Sequence, residues 1–446
     1  MNIKNNINFT EAALHPLTPR ENERPFFEYR ISNKEQGSSK FCRIMVNLQT
    51  QKFSSYFELP CSLFDIRYSK KILLLIFTII SFSTCTSPPL SKKEKLLQDA
   101  THFLWEKQNA DGGWHSETHG ILKSGQSVSA FVFYQLLQVP DEIYQPTPEQ
   151  IEKGLQFLRT HCKDGVLGHF NPIILDYPNY ATAYALRILK HFNQTQDQVL
   201  IQQMRVYLLS QQFTAQRGFQ PNHLAYGAWG FGEKYLEEGH HGHVDLSHTR
   251  RILQSLQLFD NQRDSILSLS QYFLSILQKN QKDPRPHPTG VTNDKLKYDG
   301  GFFASTVTVS TNKGDITNDE NPFYKSYATA TADGLLALVA SGVSTSDKRV
   351  QDAFQWLLDH PELEYPEGIP HDDPNQWHRV MFYYHLSVRA QAYRAMNYNE
   401  EWENEIVNIL LEKQKKDGSF SNPMGAANKE DDPLIATALV IAGFVN

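Results

Sequence analysis

The sequence has few of the residues that stabilise small disulfide-linked or zinc-binding domains. Its four cysteines are Cys42, Cys61, Cys85 and Cys162, and none of them forms a CxxC pair or another spacing typical of metal ligands. Disulfide frameworks belong to short secreted chains, whereas a chain of 446 residues can bury a large hydrophobic core. Cysteine usage therefore argues against a disulfide scaffold and against a zinc module.

Long basic runs are also missing outside the N-terminal region, and the formal net charge is -6. Proteins that bind nucleic acid concentrate Lys and Arg on one face, so we expect no nucleic-acid partner. Aromatic residues are abundant, with 20 Tyr and 27 Phe. They fit a large packed core, and they equally fit an aromatic-lined cavity.

One apolar run, ILLLIFTIISF at 72–82, is too short to span a membrane, which needs roughly 20 residues. Lys70 and Lys71 precede it and Cys85 follows it. A basic segment followed by a short apolar segment is typical of an export signal. Residues 70–85 resemble a lipoprotein signal with Cys85 as the lipidated residue, which predicts an exported, membrane-anchored protein of the cell envelope. The alternative is a buried apolar helix or strand.

The signal-like segment divides the chain. Residues 1–69 are polar and irregular and lack helical periodicity. Because a signal begins a protein, we expect 1–69 to be an extension upstream of the true start, or a disordered tail before a signal-anchor. Residues 86–92 form a Ser/Pro linker, and 93–446 form the folded domain.

From residue 93 onward a two-part unit recurs six times. The first part is an amphipathic helix that ends in a Gly/Asp turn and an aromatic residue, and these parts are 96–114, 151–168, 200–219, 266–281, 350–368 and 405–420. The second part is rich in Ala, Thr, Ser and Leu, and these parts are 124–139, 179–192, 244–259, 326–343, 382–396 and 432–445. A helix with a single apolar face lies at the surface of a protein, whereas a helix that is apolar on nearly all sides is buried. The sequence therefore predicts an all-α fold, an (α/α)6 toroid of six outer and six inner helices that closes when unit six meets unit one.

Two of the turns, QNADGGW at 108–114 and QKKDGSF at 414–420, share one pattern at opposite ends of the domain. Gly takes the left-handed conformation that ends a helix. The Gln can return a hydrogen bond to the turn, and the aromatic residue can pack under the next repeat. We therefore predict that these turns are structural crossovers, not a catalytic motif that occurs twice.

These turns resemble the QW-type repeats of squalene-hopene cyclases. The region 93–446, about four fifths of the chain, resembles the prenyltransferase/squalene-cyclase repeat superfamily. The segments FYYH at 382–385, KEDDPLIATAL at 429–439 and VDLSHT at 244–249 are similar to bacterial members of unassigned activity. The resemblance implies a terpenoid cyclase/protein prenyltransferase-like toroid with an isoprenoid or other lipid as its partner.

The family's catalytic motifs are absent. Cyclases of this superfamily protonate an alkene with the Asp-x-Asp-Asp motif, which this sequence lacks. The acidic pair Asp431–Asp432 fits a helix N-cap instead. Protein prenyltransferases hold zinc through Asp-x-Cys and a later His; His385 matches that His, but Lys325-Ser326-Tyr327 stands where Asp-x-Cys is expected. The resemblance thus implies the fold and leaves the reaction open.

The loops before the inner helices should rim a central cavity. One of these loops is GHHGHVDLSH at 239–248, in which His241, His243 and His248 accompany Asp245. Imidazoles and a carboxylate are suitable ligands for a divalent metal, and a polar helix start is the alternative. The sequence identifies no cofactor, and it does not require the metal.

A second group supplies candidate catalytic residues, namely His385, Tyr384 and Arg389, to which we add Asp245. His385 and Arg389 are four residues apart, so they share one helical face, which we expect to point inward. His is the natural general base near neutral pH. The alternative is a buried histidine with satisfied hydrogen bonds.

Substrate contacts are predicted at Tyr180 and Tyr327, whose aromatic faces could bind an isoprenoid or a carbocation. His371 and Asp372 complete the predicted substrate-binding set. For each tyrosine, a place in the hydrophobic core is the alternative.

Three functions follow. The first is a terpenoid-cyclase-like or isoprenoid-binding protein with an aromatic central cavity. The second is a cell-envelope polysaccharide lyase or hydrolase that uses Tyr384, His385 and Arg389 in an open groove; it fails if these side chains are walled off from solvent. The third is a non-enzymatic scaffold.

Overall fold

The computed structural model describes residues 31–36, 39–47 and 54–60 as backbone, and residues 90–445 apart from 170–175, 234, 235, 237, 238, 260–262 and 400. The chain divides into two compact units, Met1–Pro89 and Leu90–Asn446. Cys85 and the signal-like segment 70–85 lie outside the described residues. Within the described part, no helix is both long and apolar enough to cross a membrane.

The first unit contains three strands: β1 (Ile31–Gln36), β2 (Ser39–Asn47) and β3 (Ser54–Pro60). They form an antiparallel sheet in the order β1-β2-β3, with Ile31 opposite Ile44 and Phe41 opposite Pro60. The absence of helical periodicity predicts an irregular segment here. The strands contain aromatic and β-branched residues, which favour extended backbone without producing that periodicity.

In the described part of the second unit, twelve helices of two or more turns alternate between two layers. The outer helices are α1 (Lys92–Glu106), α3 (Pro148–His161), α5 (Gln198–Ser210), α7 (Arg263–Leu277), α9 (Lys348–Asp359) and α11 (Glu401–Lys413). The inner helices are α2 (Gln126–Leu136), α4 (Pro178–Phe192), α6 (Leu246–Leu256), α8 (Ala328–Ala340), α10 (Phe382–Ala395) and α12 (Pro433–Phe444). A single helical turn, Trp377–Val380, precedes α10.

The inner helices contact one another in chain order, from α2 to α12, and α12 then packs against α2. In the outer layer, α1 contacts α11, and it also packs against α12. The ring therefore closes where unit six meets unit one. The predicted all-α (α/α)6 toroid of six outer and six inner helices is confirmed.

Burial separates the two layers as the patterning predicted. In the inner helix α8 every residue except Val339 is buried, whereas the outer helix α9 buries only one stripe: Val350, Ala353, Trp356 and Leu357. A helix enclosed on all sides needs apolar or small residues throughout, whereas an outer helix needs only one apolar face.

The glutamines of the crossover turns hold neighbouring repeats together. The side-chain amide of Gln108 donates to the carbonyl of Gly112, at 3.0 Å, and to that of Gln150 in the first turn of α3, at 3.0 Å. Gln414 does the same with Gly418, at 3.1 Å, and with Leu96 of α1, also at 3.1 Å. The predicted bond to the turn is confirmed, and the second bond of Gln414 joins the last repeat to the first.

The small hydroxyl residues of the inner helices also bind the crossovers. Ser129 Oγ accepts a hydrogen bond from the backbone N–H of Trp114, at 2.7 Å, and Thr437 Oγ1 accepts one from Phe420, at 3.0 Å. Equivalent bonds join Thr182 to Leu167, Thr249 to Trp229 and Thr331 to Phe302. We call these five residues, Ser129, Thr182, Thr249, Thr331 and Thr437, the clasp hydroxyls. They satisfy buried backbone donors that would otherwise have no partner.

Candidate functional site

A central cavity of about 530 Å³ lies at the N-terminal ends of the inner helices. Each inner helix contributes the third residue after its N-cap, and these residues are Val128, Tyr180, His248, Ala330, Tyr384 and Ile435. All six repeats therefore supply the wall, because the toroid brings equivalent helix positions to one place.

Aromatic rings make up much of this wall. Two of them are the predicted Tyr180 and Tyr327, which both line the cavity, and the others are Phe131, Tyr177, Phe231, Trp377 and Tyr384. Tyr180 packs against Tyr184 with ring centroids 4.8 Å apart. The buried ring of Tyr327 directs its hydroxyl to the carbonyl of Thr311, at 3.4 Å. Apolar surface thus makes up the larger part of the wall, and polar side chains make up the rest.

Asp245 organises a polar cluster on the wall. It is the N-cap of α6 and accepts a hydrogen bond from the backbone N–H of His248, at 2.8 Å. Its Oδ2 also lies 2.7 Å from His243 Nε2 and 2.9 Å from His248 Nδ1. Burial raises the pKa of the Asp245 carboxyl, but the charge of His248 and the hydrogen bonds from both histidines outweigh burial and hold that pKa well below its usual range. An ionised carboxylate therefore orients two imidazoles at the cavity.

The predicted metal site at His241, His243 and His248 does not form. His241 Nδ1 bonds to the carbonyl of Gly242, at 2.7 Å, while the other two histidines bind Asp245. Across the described residues of the chain, no group of three or more His, Cys, Asp or Glu side chains is arranged to hold a metal ion. The local sequence is rich in ligands, but Asp245 serves as a helix cap and as the acceptor for two of them.

The floor of the cavity contains a buried carboxylate, Asp333 of α8. The Tyr384 hydroxyl donates to its Oδ2 at 2.5 Å, and Arg250 Nε lies 3.0 Å from its Oδ1. Arg251 in turn donates to the Tyr384 hydroxyl at 3.3 Å. Asp333 and the two arginines were not among the predicted site residues, although a single carboxylate within an otherwise apolar helix indicates a buried polar partner.

Two lysines from loops stand at the mouth of the cavity. Lys313 Nζ lies 3.6 Å from the centroid of the Trp377 ring and donates to the carbonyl of Ser310 at 2.7 Å. Lys429 Nζ lies 5.2 Å from the Tyr177 ring. Burial lowers the pKa of Lys313 to about 8. No sequence pattern indicated these residues, because only the closed ring brings their loops together.

His385 and Arg389 do not face the cavity, so the predicted inward orientation of this helical face is wrong. His385 is fully buried and its Nε2 bonds to the carbonyl of Glu362, at 3.0 Å. Arg389 donates to the carbonyls of Leu357, at 3.1 Å, and His360, at 2.8 Å. Both side chains therefore join α10 to the outer helix α9. Burial and the charge of Arg389 lower the pKa of His385 well below its usual range, so its imidazole is neutral.

The position of His385 explains this role. It is the fourth residue after the N-cap Met381, as Thr249 and Thr331 are after theirs. In the fifth repeat a histidine therefore replaces the clasp hydroxyl. Arg389 binds carbonyls at the C-terminal end of α9, much as the Trp114 indole donates to Leu104 in α1, at 2.6 Å.

His371 and Asp372 also lie away from the central cavity. Both are exposed, and the His371 ring stacks on His378 with centroids 4.5 Å apart. They occur in the loop before the Trp377–Val380 turn, and only Trp377 of that turn contributes to the cavity wall. The two residues therefore do not belong to the wall of the central cavity, where the sequence had placed them.

The acidic segment before α12 caps helices. Asp432 is the N-cap of α12 and accepts from the N–H of Leu434 at 2.9 Å, as predicted, whereas Asp431 pairs with His119 at 2.7 Å. Glu430 accepts from the backbone N–H groups of Tyr383 and Tyr384 at the start of α10, each at 2.9 Å. Burial raises the pKa of Glu430 to about 7.

Comparison with known proteins gives matches only among solved structures. No family model and no curated protein matches the chain. The type II terpene cyclase MstE from Scytonema, without ligand, is similar at 16% identity over 79% of this chain and 98% of that chain, with a TM-score of 0.48. An Asp-to-Asn variant of MstE with its substrate geranylgeranyl dihydroxybenzoate is similar at 14% identity over 79% of this chain and 96% of that chain, with a TM-score of 0.45. At this identity the likeness concerns the fold alone, and the helix contacts of the chain itself define that fold.

Proposed function

We propose that the protein binds the hydrocarbon chain of an isoprenoid or a similar lipid in the central cavity. The observation that carries this proposal is the group of aromatic rings on the cavity wall, which come from α2, α4 and α10, from two N-caps and from adjoining segments. A volume of about 530 Å³ falls in the range of about 300–1,000 Å³ usual for small-molecule sites. Aromatic rings supply large apolar contact areas, and their faces also attract cationic centres.

The polar groups indicate how a bound lipid would lie. Asp333 on the floor is already bonded to Tyr384 and adjacent to Arg250, so it offers little to a ligand. Lys313 and Lys429 stand at the mouth and make no ion pair with a described residue. A lipid with a polar end would therefore place that end at the mouth and its chain against the rings.

Proton transfer to or from the bound lipid is a second candidate function, and the Asp245 cluster favours it. Because His248 Nδ1 is bonded to Asp245, its Nε2 is the nitrogen that can reach a molecule in the cavity. A carboxylate that fixes an imidazole in this way produces an effective acid or base. Protonation of an alkene by a carboxylic acid is less suited to this site, because Asp245 is held ionised and Asp333 lies beside arginine.

The lyase alternative loses its support. It required Tyr384, His385 and Arg389 in an open groove, but His385 and Arg389 are walled off from solvent and bonded to backbone carbonyls. Tyr384, the third member, donates its hydroxyl to Asp333.

Binding is tested by titrating purified protein with a fluorescent polyprenyl alcohol and by mass spectrometry of lipids that copurify with it. We expect saturable binding of one probe per chain. The absence of both copurified lipid and saturable binding would contradict the proposal.

Catalysis is tested separately by incubation with a panel of polyprenyl substrates and product analysis. We expect any turnover to be lost in His248→Gln while probe binding persists. If the protein binds the lipids but converts none of the panel, it is a lipid-binding protein, and the proposed proton transfer is contradicted.

We also propose that the protein is exported and anchored through a lipid on Cys85. The short apolar run at 72–82 after Lys70 and Lys71 supports this proposal. Metabolic labelling with a fatty acid should mark the wild-type protein in the membrane fraction. Labelling should be lost in Cys85→Ser and kept in the matched variant Cys61→Ser; equal labelling of all three proteins would contradict it.

A further inference from the structure

A second cavity, of about 290 Å³, lies beyond the floor of the central cavity. Its lining comes from the middle and the C-terminal parts of the inner helices, and Phe131, Arg251 and Leu439 line both cavities. We call it the basic cavity, because its charged lining residues are Arg187, Arg250, Arg251 and Arg394. Gln135, Gln254 and Gln391 add further polar groups.

The charges around the basic cavity do not balance. Four guanidinium groups line it, and none of its described lining residues is a carboxylate. Two carboxylates lie near these arginines. Asp333 lies 3.0 Å from Arg250 and 4.0 Å from Arg251, and the charge of Glu403 acts on Arg394. Because guanidinium groups stay charged at all relevant pH values, an enclosed space with this lining attracts anions.

Arg187 is the least satisfied of the four arginines. Its guanidinium lies 4.1 Å from the centroid of the Tyr134 ring and 5.6 Å from that of Tyr184. It makes no hydrogen bond or ion pair with any described residue, and its Nε is buried without an acceptor. The two rings hold the guanidinium plane in place, so its donors are available to the oxygens of an anion.

The ends of the inner helices offer another explanation for basic residues here, since helix C-termini carry partial negative charge. That explanation fits Arg394, which donates to the carbonyls of Gly443 and Val445 at the end of α12. It does not fit Arg187, which reaches no carbonyl among the described residues. Compensation of helix dipoles therefore accounts for part of the cluster only.

We propose that the basic cavity binds a small oxyanion of the phosphate type, either free or as the phosphate of a small ester. Arg187 is its main ligand, and Arg251 and Gln254 lie on the same lining. The site shares Phe131, Arg251 and Leu439 with the wall of the proposed lipid site, but its main ligand Arg187 lines the basic cavity alone, so the proposal does not rest on lipid binding. Its volume restricts the ligand to the size of a phosphate or a short phosphate ester.

The test is calorimetric titration of the full chain with inorganic phosphate and, separately, with glycerol 3-phosphate, each at constant ionic strength set with chloride. We expect saturable binding and a rise in the thermal midpoint. Tighter binding of phosphate would identify the free anion as the ligand, and tighter binding of glycerol 3-phosphate would identify an ester. Arg187→Gln should weaken binding at least about tenfold, since it removes a charge-assisted contact.

Arg217→Gln is the matched control. Arg217 is also half-buried and stacked on an aromatic ring, at 4.6 Å from Phe213, but it lines neither cavity. Its variant should bind phosphate as the wild type does. Equal weakening in both variants, or no saturable binding by the wild type, would overturn the proposal.

Gln254→Glu tests the same charge imbalance without removing an arginine. The new carboxylate should take the place of the anion, so phosphate binding should be lost while the thermal midpoint in chloride stays the same or rises. A folded Gln254→Glu protein that still binds phosphate with wild-type affinity would also overturn the proposal.

Discussion

On each inner helix, one position near the N-terminus faces the central cavity and a neighbouring position binds the outer layer. The third residue after the N-cap faces the central cavity, and it ranges from Ala330 to His248 and Tyr384. The next residue, or the one after it where proline begins the helix, binds the crossover from the outer layer, and in five repeats it is a clasp hydroxyl. The clasp position, which is nearly the same in all repeats, therefore holds the two layers together. The third residue after the N-cap, which we call the variable position, determines the chemistry of the cavity wall.

The fifth repeat shows how close these two positions are. Tyr384 and His385 are adjacent in sequence, yet Tyr384 bonds to Asp333 on the cavity floor and His385 bonds to Glu362 on the outer side. Successive residues of a helix are rotated by about 100°, so adjacent side chains point to different neighbours. The four predictions below test this division between clasp and cavity, in order of their effect on stability.

The largest effect is expected from Trp114→Ala. Trp114 is fully buried, packs against Trp105 at 5.6 Å and donates its indole N–H to Leu104 at 2.6 Å. The substitution leaves a large void, so we expect the free energy of unfolding to fall by about 3–5 kcal/mol. Urea unfolding measures it, with the exposed Val206→Ala as control. A loss below about 1 kcal/mol would show that the crossover is dispensable.

His385→Ala should cost less stability and leave the cavity unchanged. It removes the partner of the Glu362 carbonyl within a buried region, which typically costs about 1–3 kcal/mol. Lipid binding should be unaltered, whereas Tyr384→Ala on the neighbouring face should alter it. Loss of binding or turnover in His385→Ala, with unfolding unchanged, would restore the catalytic role that the sequence indicated.

Asp245 should make stability depend on pH. Its folded-state pKa is well below the ordinary value of 3.8, so the stabilisation is present above that value and is lost as pH falls through the folded-state pKa. Asp245→Asn should flatten this part of the profile. Asn caps a helix about as well as Asp, so the expected cost of about 1 kcal/mol at neutral pH comes from the loss of the charged partner of His243 and His248. Urea unfolding from about pH 6 down to about pH 2 measures both effects, since the loss begins near the ordinary pKa and continues below it. The exposed Asp141→Asn is the control, and an unchanged acid slope in Asp245→Asn would contradict the prediction.

The prediction from sequence agrees with the structure for the fold, whose helical pattern occurs in every repeat. The toroid could be predicted because amphipathic and apolar helices alternate six times, and each repetition strengthens the same conclusion. Helical spacing placed His385 and Arg389 on one face correctly. It could not decide whether that face points inward, because an inner helix is buried on both sides.

The residues at the mouth of the cavity could not be predicted from the sequence, for a different reason. Lys313 and Lys429 lie in separate loops and stack on Trp377 and Tyr177, which come from other repeats. Only closure of the ring brings these residues together, and no local pattern encodes it. Asp333 could have been predicted from the sequence, since a lone carboxylate in an apolar helix requires a buried partner.

The smallest effect on stability, and the sharpest test of the cavity position, is expected from Ala330→Phe. Ala330 is the third residue after the N-cap of α8, so a larger side chain there projects into the central cavity without having to displace the clasp at Thr331. We expect unfolding to change by less than about 1.5 kcal/mol, because the cavity has room for the ring. Binding of a polyprenyl probe should fall at least about tenfold, since the ring occupies the space of the ligand. Val199→Phe, on the exposed surface of α5, should leave binding unchanged. If Ala330→Phe unfolds normally and binds the probe as tightly as the wild type, the lipid lies elsewhere, and the variable position has a role other than ligand selection.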